Sequence, residues 1–188
     1  FKVIVKQGPQ EELAVETDRN LLPLIRTEVV GKTLKIETKK SIHHPTELKV
    51  YITVKDIDML DVSGAVDIFT DGKLTLSKLM IDASGATDMK MDIAIQKLKL
   101  GCSGASKIRL SGTSTEVVLD LSGASDIFGY DLLAENYDIE ISGAGNAQVN
   151  VSKKIRAEIS GAGSVTYKGS PAEISQEVSG AGSIRKAD

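Results

Sequence analysis

From Tyr51 onward the chain alternates apolar and polar residues in short runs, as in Leu74/Leu76, Ile93/Ile95 and Val117/Leu119. A period of two is the mark of strands with one buried face, and no stretch of this region carries a helical stripe. Residues 1–5 alternate in the same way, and residues 13–16 read as a short strand. Ile25–Val30 and Thr33–Thr38 flank Gly31-Lys32, the layout of a hairpin with a two-residue turn. The pattern predicts an all-β protein.

The alternation is itself repeated. Ser-Gly-Ala occurs seven times, beginning at Ser63, Ser84, Ser103, Ser122, Ser142, Ser160 and Ser179, in steps of 21, 19, 19, 20, 18 and 19 residues. The residue before each serine is always apolar (Val62, Ala83, Cys102, Leu121, Ile141, Ile159, Val178). Five residues after it the chain is apolar again (Ile68, Met89, Ile108, Ile127, Ala147, Val165, Ile184). Such a unit cannot bury its apolar face alone, so stacking the repeats is the physical solution. At a strand spacing of roughly 4.8 Å, the stack forms a rod about 30–35 Å long. We therefore expect a right-handed parallel β-helix (β-solenoid) of about seven coils. A left-handed hexapeptide helix would show its apolar mark every six residues, whereas here the strong mark comes once per coil.

In this reading Gly64, Gly85, Gly104, Gly123, Gly143, Gly161 and Gly180 are structural corners. Gly supplies a backbone conformation closed to other residues, and the following Ala points into a narrow interior. Val62, Leu121, Ile141, Ile159 and Ile127 belong to the core. Residues 1–49 form a β-rich N-terminal cap that merges into the rod and covers its first strand edge. Residues 50–188 form the coils, and 1–188 is a single domain. Charge shifts at this boundary: residues 1–49 hold nine basic and seven acidic side chains, against 14 and 19 in the rest.

Composition narrows the function. A net charge of -3 gives no electrostatic case for nucleic acid, and seven aromatics are few for stacking bases or sugars. No apolar run approaches the roughly 18–20 residues of a membrane-spanning segment. One cysteine, Cys102, excludes a disulfide within the chain and a cysteine zinc cluster. Ten of the 17 glycines belong to the tripeptides or follow them, as Gly145, Gly163 and Gly182. The first residue is Phe1, which implies a start segment ahead of it.

These residues resemble a bacterial family described as "putative auto-transporter adhesin, head GIN domain". The resemblance rests on Phe1-Lys2-Val3, Val15-Glu16, Asn20-Leu21-Leu22-Pro23 and the hairpin ending Leu34-Lys35-Ile36. It also rests on the Ser-Gly-Ala copies, with Gly added in the later ones, and on Tyr167-Lys168-Gly169-Ser170-Pro171. It spans essentially the whole chain. It implies a right-handed parallel β-helix exported to the cell surface or beyond, with an adhesive role and no catalytic motif.

Two outward columns are the candidate chemistry. Two residues before each serine stand Asp61, Asp82, Gly101, Asp120, Glu140, Glu158 and Glu177. If the coils are in register, Asp120, Glu140, Glu158 and Glu177 project one above another. Such acids are either solvated and paired with neighbouring Lys or Arg, or they hold Ca²⁺. Four residues after the serines stand Asp67, Asp88, Lys107, Asp126, Asn146, Ser164 and Ser183, so coil three relieves charge in both columns through Gly101 and Lys107. The repeated serines are expected to bond backbone at the corners, since none lies in the Gly-x-Ser-x-Gly turn of hydrolases. His43-His44 is adjacent in sequence and lacks a third metal ligand. Cys102 falls in an apolar column and reads as an inert buried thiol. Phe69/Phe128 and Tyr130/Tyr137 read as packing residues or as a small contact patch.

The sequence thus predicts no catalytic residues and no bound cofactor, Ca²⁺ being the one candidate. The leading function is a non-catalytic surface module binding an extracellular protein or glycan. A rod that assembles with other copies through its ends or edges is the alternative. A polysaccharide-active β-helix enzyme comes third, because coil lengths of 18–21 leave no room for a substrate-shaping loop.

Overall fold

The structure is a computed structural model that describes residues 1–40, 42 and 47–187. Twelve strands account for most of it: β1 Lys2–Gln7, β2 Glu12–Thr17, β3 Ile25–Val30, β4 Thr33–Thr38, β5 Leu48–Val54 and β6 Met59–Cys102, then β7 Lys107–Leu121, β8 Asp126–Ile141, β9 Asn146–Gly161, β10 Ser164–Gly169, β11 Glu173–Gly180 and β12 Ser183–Lys186. The long strands bend around the rod, and each pairs in parallel with the coil before it. Ile108 sits on Met89, Ile127 on Ile108, Ala147 on Ile127 and Val165 on Ala147. The protein is a parallel β-solenoid.

Its turns number about five, fewer than the seven coils counted from the tripeptides. A coil is the stretch between two copies, so seven copies bound fewer than seven turns. The last copy is followed only by the four-residue β12. Unequal coil lengths are absorbed by register shifts at Arg109/Ser111, Gly129/Leu133 and Ala134/Asn136.

The N-terminal segment is threaded into the stack. β1 lies between β5 and β6, pairing Val3 with both Val50 and Ile68. β2 then pairs antiparallel with β5 and takes the outer edge. The hairpin β3–β4 forms where alternation and Gly31-Lys32 place it, as a separate two-stranded sheet with Gly31 at φ 64°.

The core is a set of vertical columns. The residue before the serine is buried in every copy but the last, as is the residue five after it. Val62, Leu121, Ile141, Ile159 and Ile127 are all buried. Each such side chain withdrawn from water contributes roughly 1.5–3 kcal/mol.

The alanines correct an expectation: Ala65, Ala86, Ala105, Ala124, Ala144 and Ala162 face outward. Alternation continues through the tripeptide, so Leu121, Gly123, Ser125 and Ile127 share the inner side while Ala124 does not. The chain bends at 104–105, 123–124 and 143–144. There each glycine stacks on its counterpart one rung earlier: a Cβ on Gly123 would overlap the Gly104 carbonyl oxygen, and one on Gly143 that of Gly123. Those same carbonyls accept hydrogen bonds from Ala124 and Ala144 N–H, at 3.0 and 3.1 Å. Positive φ is confined to Gly64, Gly85 and Gly180 among the seven. At Gly104, Gly123, Gly143 and Gly161 the requirement is therefore space toward the backbone of the preceding rung, not left-handed backbone.

Candidate functional site

The acidic column is in register. Asp120 pairs with Glu140, Glu140 with Glu158, and Glu158 with Glu177. Strand pairing brings like charges one rung apart, which repels unless a cation intervenes. Arg156, two residues before Glu158 on the same outward side, supplies one. Its Nη1 lies 2.8 Å from Asp138 Oδ1 and 3.6 Å from Glu140 Oε1, while Nη2 reaches Glu158. The hydrogen bond and charge of Asp138, then the charge of Glu158, hold the guanidinium pKa above its ordinary value. A shallow groove of about 240 Å³ runs between these acids and Ser142, Ser160 and Ser179. No group of three or more metal-ligating side chains converges among the described residues. The two carboxylates nearest the middle of the column, those of Glu140 and Glu158, share a guanidinium.

The second column lies on the sheet that contains β1 and β5. Lys107 stands between Asp88 and Asp126, and the column continues through Asn146, Ser164 and Ser183. Asn146 Nδ2 donates to Asp126 at 2.9 Å, and Ser164 Oγ donates to Asn146 Oδ1 at 2.7 Å. Polar side chains thus hand hydrogen bonds from rung to rung along the outside.

Beside this column runs a row that mixes rings with cations. Tyr51, Ile4 and Phe69 are register neighbours at its start, and Lys90, Arg109, Phe128 and Gln148 follow one another further along. The Lys107 ammonium stands 5.6 Å and the Arg109 guanidinium 5.5 Å from the centre of the Phe128 ring, and Lys2 stands 5.1 Å from that of Phe69. Lys168 lies 4.4 Å from the Tyr130 ring centre. At these distances cation and ring quadrupole attract one another. Arg109 also pairs with Asp88 at 3.0 Å. Phe69, Phe128 and Tyr130 are half-buried and outward, whereas Tyr137 is buried with its hydroxyl donating to Leu132 O at 3.3 Å. Burial pushes the Tyr137 phenol well above its ordinary pKa.

Two hydroxyls of the serine ladder bond backbone. Ser84 Oγ donates to Val62 O at 3.4 Å and Ser122 Oγ to Cys102 O at 3.3 Å, one rung back in each case. His43 and His44 lie outside the described residues. Cys102 is buried, and burial raises its thiol pKa to about 11, which removes the thiolate a reactive cysteine needs.

Three features escaped the sequence reading. One is Arg156 as the partner of the acidic column. The second is the inward column three residues after the second to sixth serines: Thr87, Ser106, Ser125, Gly145 and Gly163, all buried. It shrinks along the rod until a Cβ on Gly163 would stand 2.5 Å from Gly145 O and 2.7 Å from Ile141 Cγ2. That narrowing explains the Gly added in the later copies, and the serial loss of side-chain volume was its signal. The third is a notch of about 600 Å³ beside Gln7, where β1 stops and its rung is left incomplete.

Known proteins place the chain. A family model described as "Putative auto-transporter adhesin, head GIN domain" matches residues 1–171. Among solved structures, a putative adhesin from Bacteroides fragilis superposes with a TM-score of 0.90 at 26% identity, over 99% of this chain and 88% of that one. A putative lipid binding protein from Parabacteroides distasonis gives 0.77 at 24% identity, covering 100% and 89%. A putative adhesin from Parabacteroides merdae gives 0.75 at 19%, covering 100% and 88%, and like the second it carries the fold alone. No curated protein matches the sequence. With its repeats, its inserted first strand and its hairpin accounted for, the chain belongs to the family of the putative auto-transporter adhesin head GIN domain.

Proposed function

We propose that this chain is a non-catalytic, exported binding module that presents the ring-and-cation face to an extracellular protein or glycan. The observation that carries the reading is the row through Phe69, Lys90, Arg109 and Phe128, which offers half-exposed rings, cations and hydrogen-bonding groups on a sheet held by the core behind it. A rigid, preorganised face loses little freedom on binding, and Arg and aromatic side chains are the commonest anchors of interfaces. The hydroxyls of Ser84 and Ser122 and the carboxylates of Glu140 and Glu158 already have partners, which favours binding over bond cleavage at these positions. The adhesin-type relative with 26% identity supports a surface role. The cap and the coils act as one unit in this proposal, because β1 belongs to the cap in sequence and to the stack in space.

An array of glycans and extracellular-matrix proteins tests it, comparing the wild type with a Phe69→Ala/Phe128→Ala variant. Retention by a defined subset of spots, lost in the variant with its circular dichroism unchanged, is expected. Retention that the variant preserves would assign binding to another surface.

A further inference from the structure

The inward columns change character in the last rung. In β9, Ile155, Ala157 and Ile159 are buried, and in β10, Val165 and Tyr167 are buried. Strand pairing places Ile174, Gln176 and Val178 on the first three, and Ile184 and Lys186 on the other two. The middle position of the first set is Leu100, Leu119, Ile139 and Ala157 in the earlier rungs, all buried and apolar. At Gln176 it becomes an amide. In the same rung a lysine follows the buried Tyr167, and its ammonium donates to Ser170 Oγ at 3.4 Å.

Two polar groups thus interrupt two separate apolar columns at one level. Ile174 and Val178 remain 50% and 43% exposed on either side of Gln176. Anything stacked on this rung would gain their burial, but it would also have to desolvate the Gln176 amide and the Lys186 ammonium, whose one bond to Ser170 Oγ does not replace its water shell. Solenoids need an end that resists further stacking, and inward-directed polar groups are one way to supply it. We infer that the β11–β12 rung is built to refuse stacking by a second copy of the chain. This goes beyond the binding proposal and does not depend on it.

The test is light scattering after gel filtration of the full chain over a wide concentration range. The wild type is expected to hold a mass that does not rise with concentration through this end, so Ile174→Lys leaves that mass unchanged. A Gln176→Leu/Lys186→Leu variant completes the apolar columns and is expected to associate, with average mass rising toward twice that of the wild type. Ser175→Leu adds the same bulk on the outward side and is expected to have no effect. A folded double variant that keeps the wild-type mass overturns the inference. So does a wild type that associates and loses that association on Ile174→Lys, an outcome readable even if the double variant does not fold.

Discussion

The side chain of Gln7 completes the hydrogen bonding of Thr75: its Oε1 accepts from the Thr75 N–H at 2.8 Å and its Nε2 donates to the Thr75 C=O at 3.0 Å. Nε2 also reaches Lys55 O at 3.1 Å. β1 ends at Gln7, so a primary amide stands where the next peptide group of that rung would be. Replacing Gln7 by Ala leaves those backbone groups to water and should cost about 1 kcal/mol. Amide exchange at Thr75 should quicken in the variant, and an unchanged Thr75 rate would show that the contact holds nothing.

Leu121 is fully buried between Cys102 and Ile141 in its column. Leu121→Asp places an unpaired carboxylate there and should cost about 3–5 kcal/mol. For a chain of this length that lowers the melting temperature by roughly 10 °C or more. A melt within a degree or two of wild type would mean the column does not face inward.

Arg156 answers for the acidic column. Arg156→Gln should lower the melting temperature at low ionic strength, and added salt should recover the loss as the carboxylates are screened. Millimolar Ca²⁺ should leave the wild-type melt unchanged, because Glu140 and Glu158 already share the guanidinium. A rise with Ca²⁺ in the wild type would restore the column as a cation site.

Cys102 ties stability to alkaline pH. Its thiol titrates near 9.0 when solvated and near 11 in the fold, raised chiefly by burial. The native state therefore holds a proton that the unfolded chain gives up, and stability falls as pH rises between those values. The contribution is complete below about pH 9 and gone above about pH 11. Denaturant unfolding at a series of pH values should show this slope, and Cys102→Ala should remove it between about pH 9 and 10, below the range where the buried Tyr137 phenol adds its own. At neutral pH a thiol reagent should label Cys102 only after denaturant is added.

The columns through Leu121 and Ile127 were readable in the sequence because alternation and the serine repeat agree there. The coil count was not, since seven marks along one line of the rod do not state how many turns close between them. The inward Ala was a misreading of parity. Counting by twos from Leu121 passes through Gly123 and Ser125, which puts Ala124 outside, and the familiar link between Gly and left-handed backbone hid this. Arg156 and Gln7 were beyond the sequence for a different reason. Their partners lie a rung or more away, and which rung depends on register set by coils of unequal length. The face around Phe128 was only half legible: the rings were visible in the sequence, but the cations beside them come from neighbouring coils.

The central claim is that Gly104, Gly123, Gly143 and Gly161 are required by contact between rungs, and two substitutions separate this from backbone freedom. Gly123 has no positive φ but a Cβ there would overlap the Gly104 carbonyl of the preceding rung, while Gly101 has ordinary space, its nearest neighbours being 3.8 Å from an added Cβ. Thermal melts of Gly123→Ala and Gly101→Ala measure the difference directly. The account predicts a loss of about 2–3 kcal/mol for Gly123→Ala and no loss, or a slight gain, for Gly101→Ala. Equal melting temperatures for the two variants would contradict it.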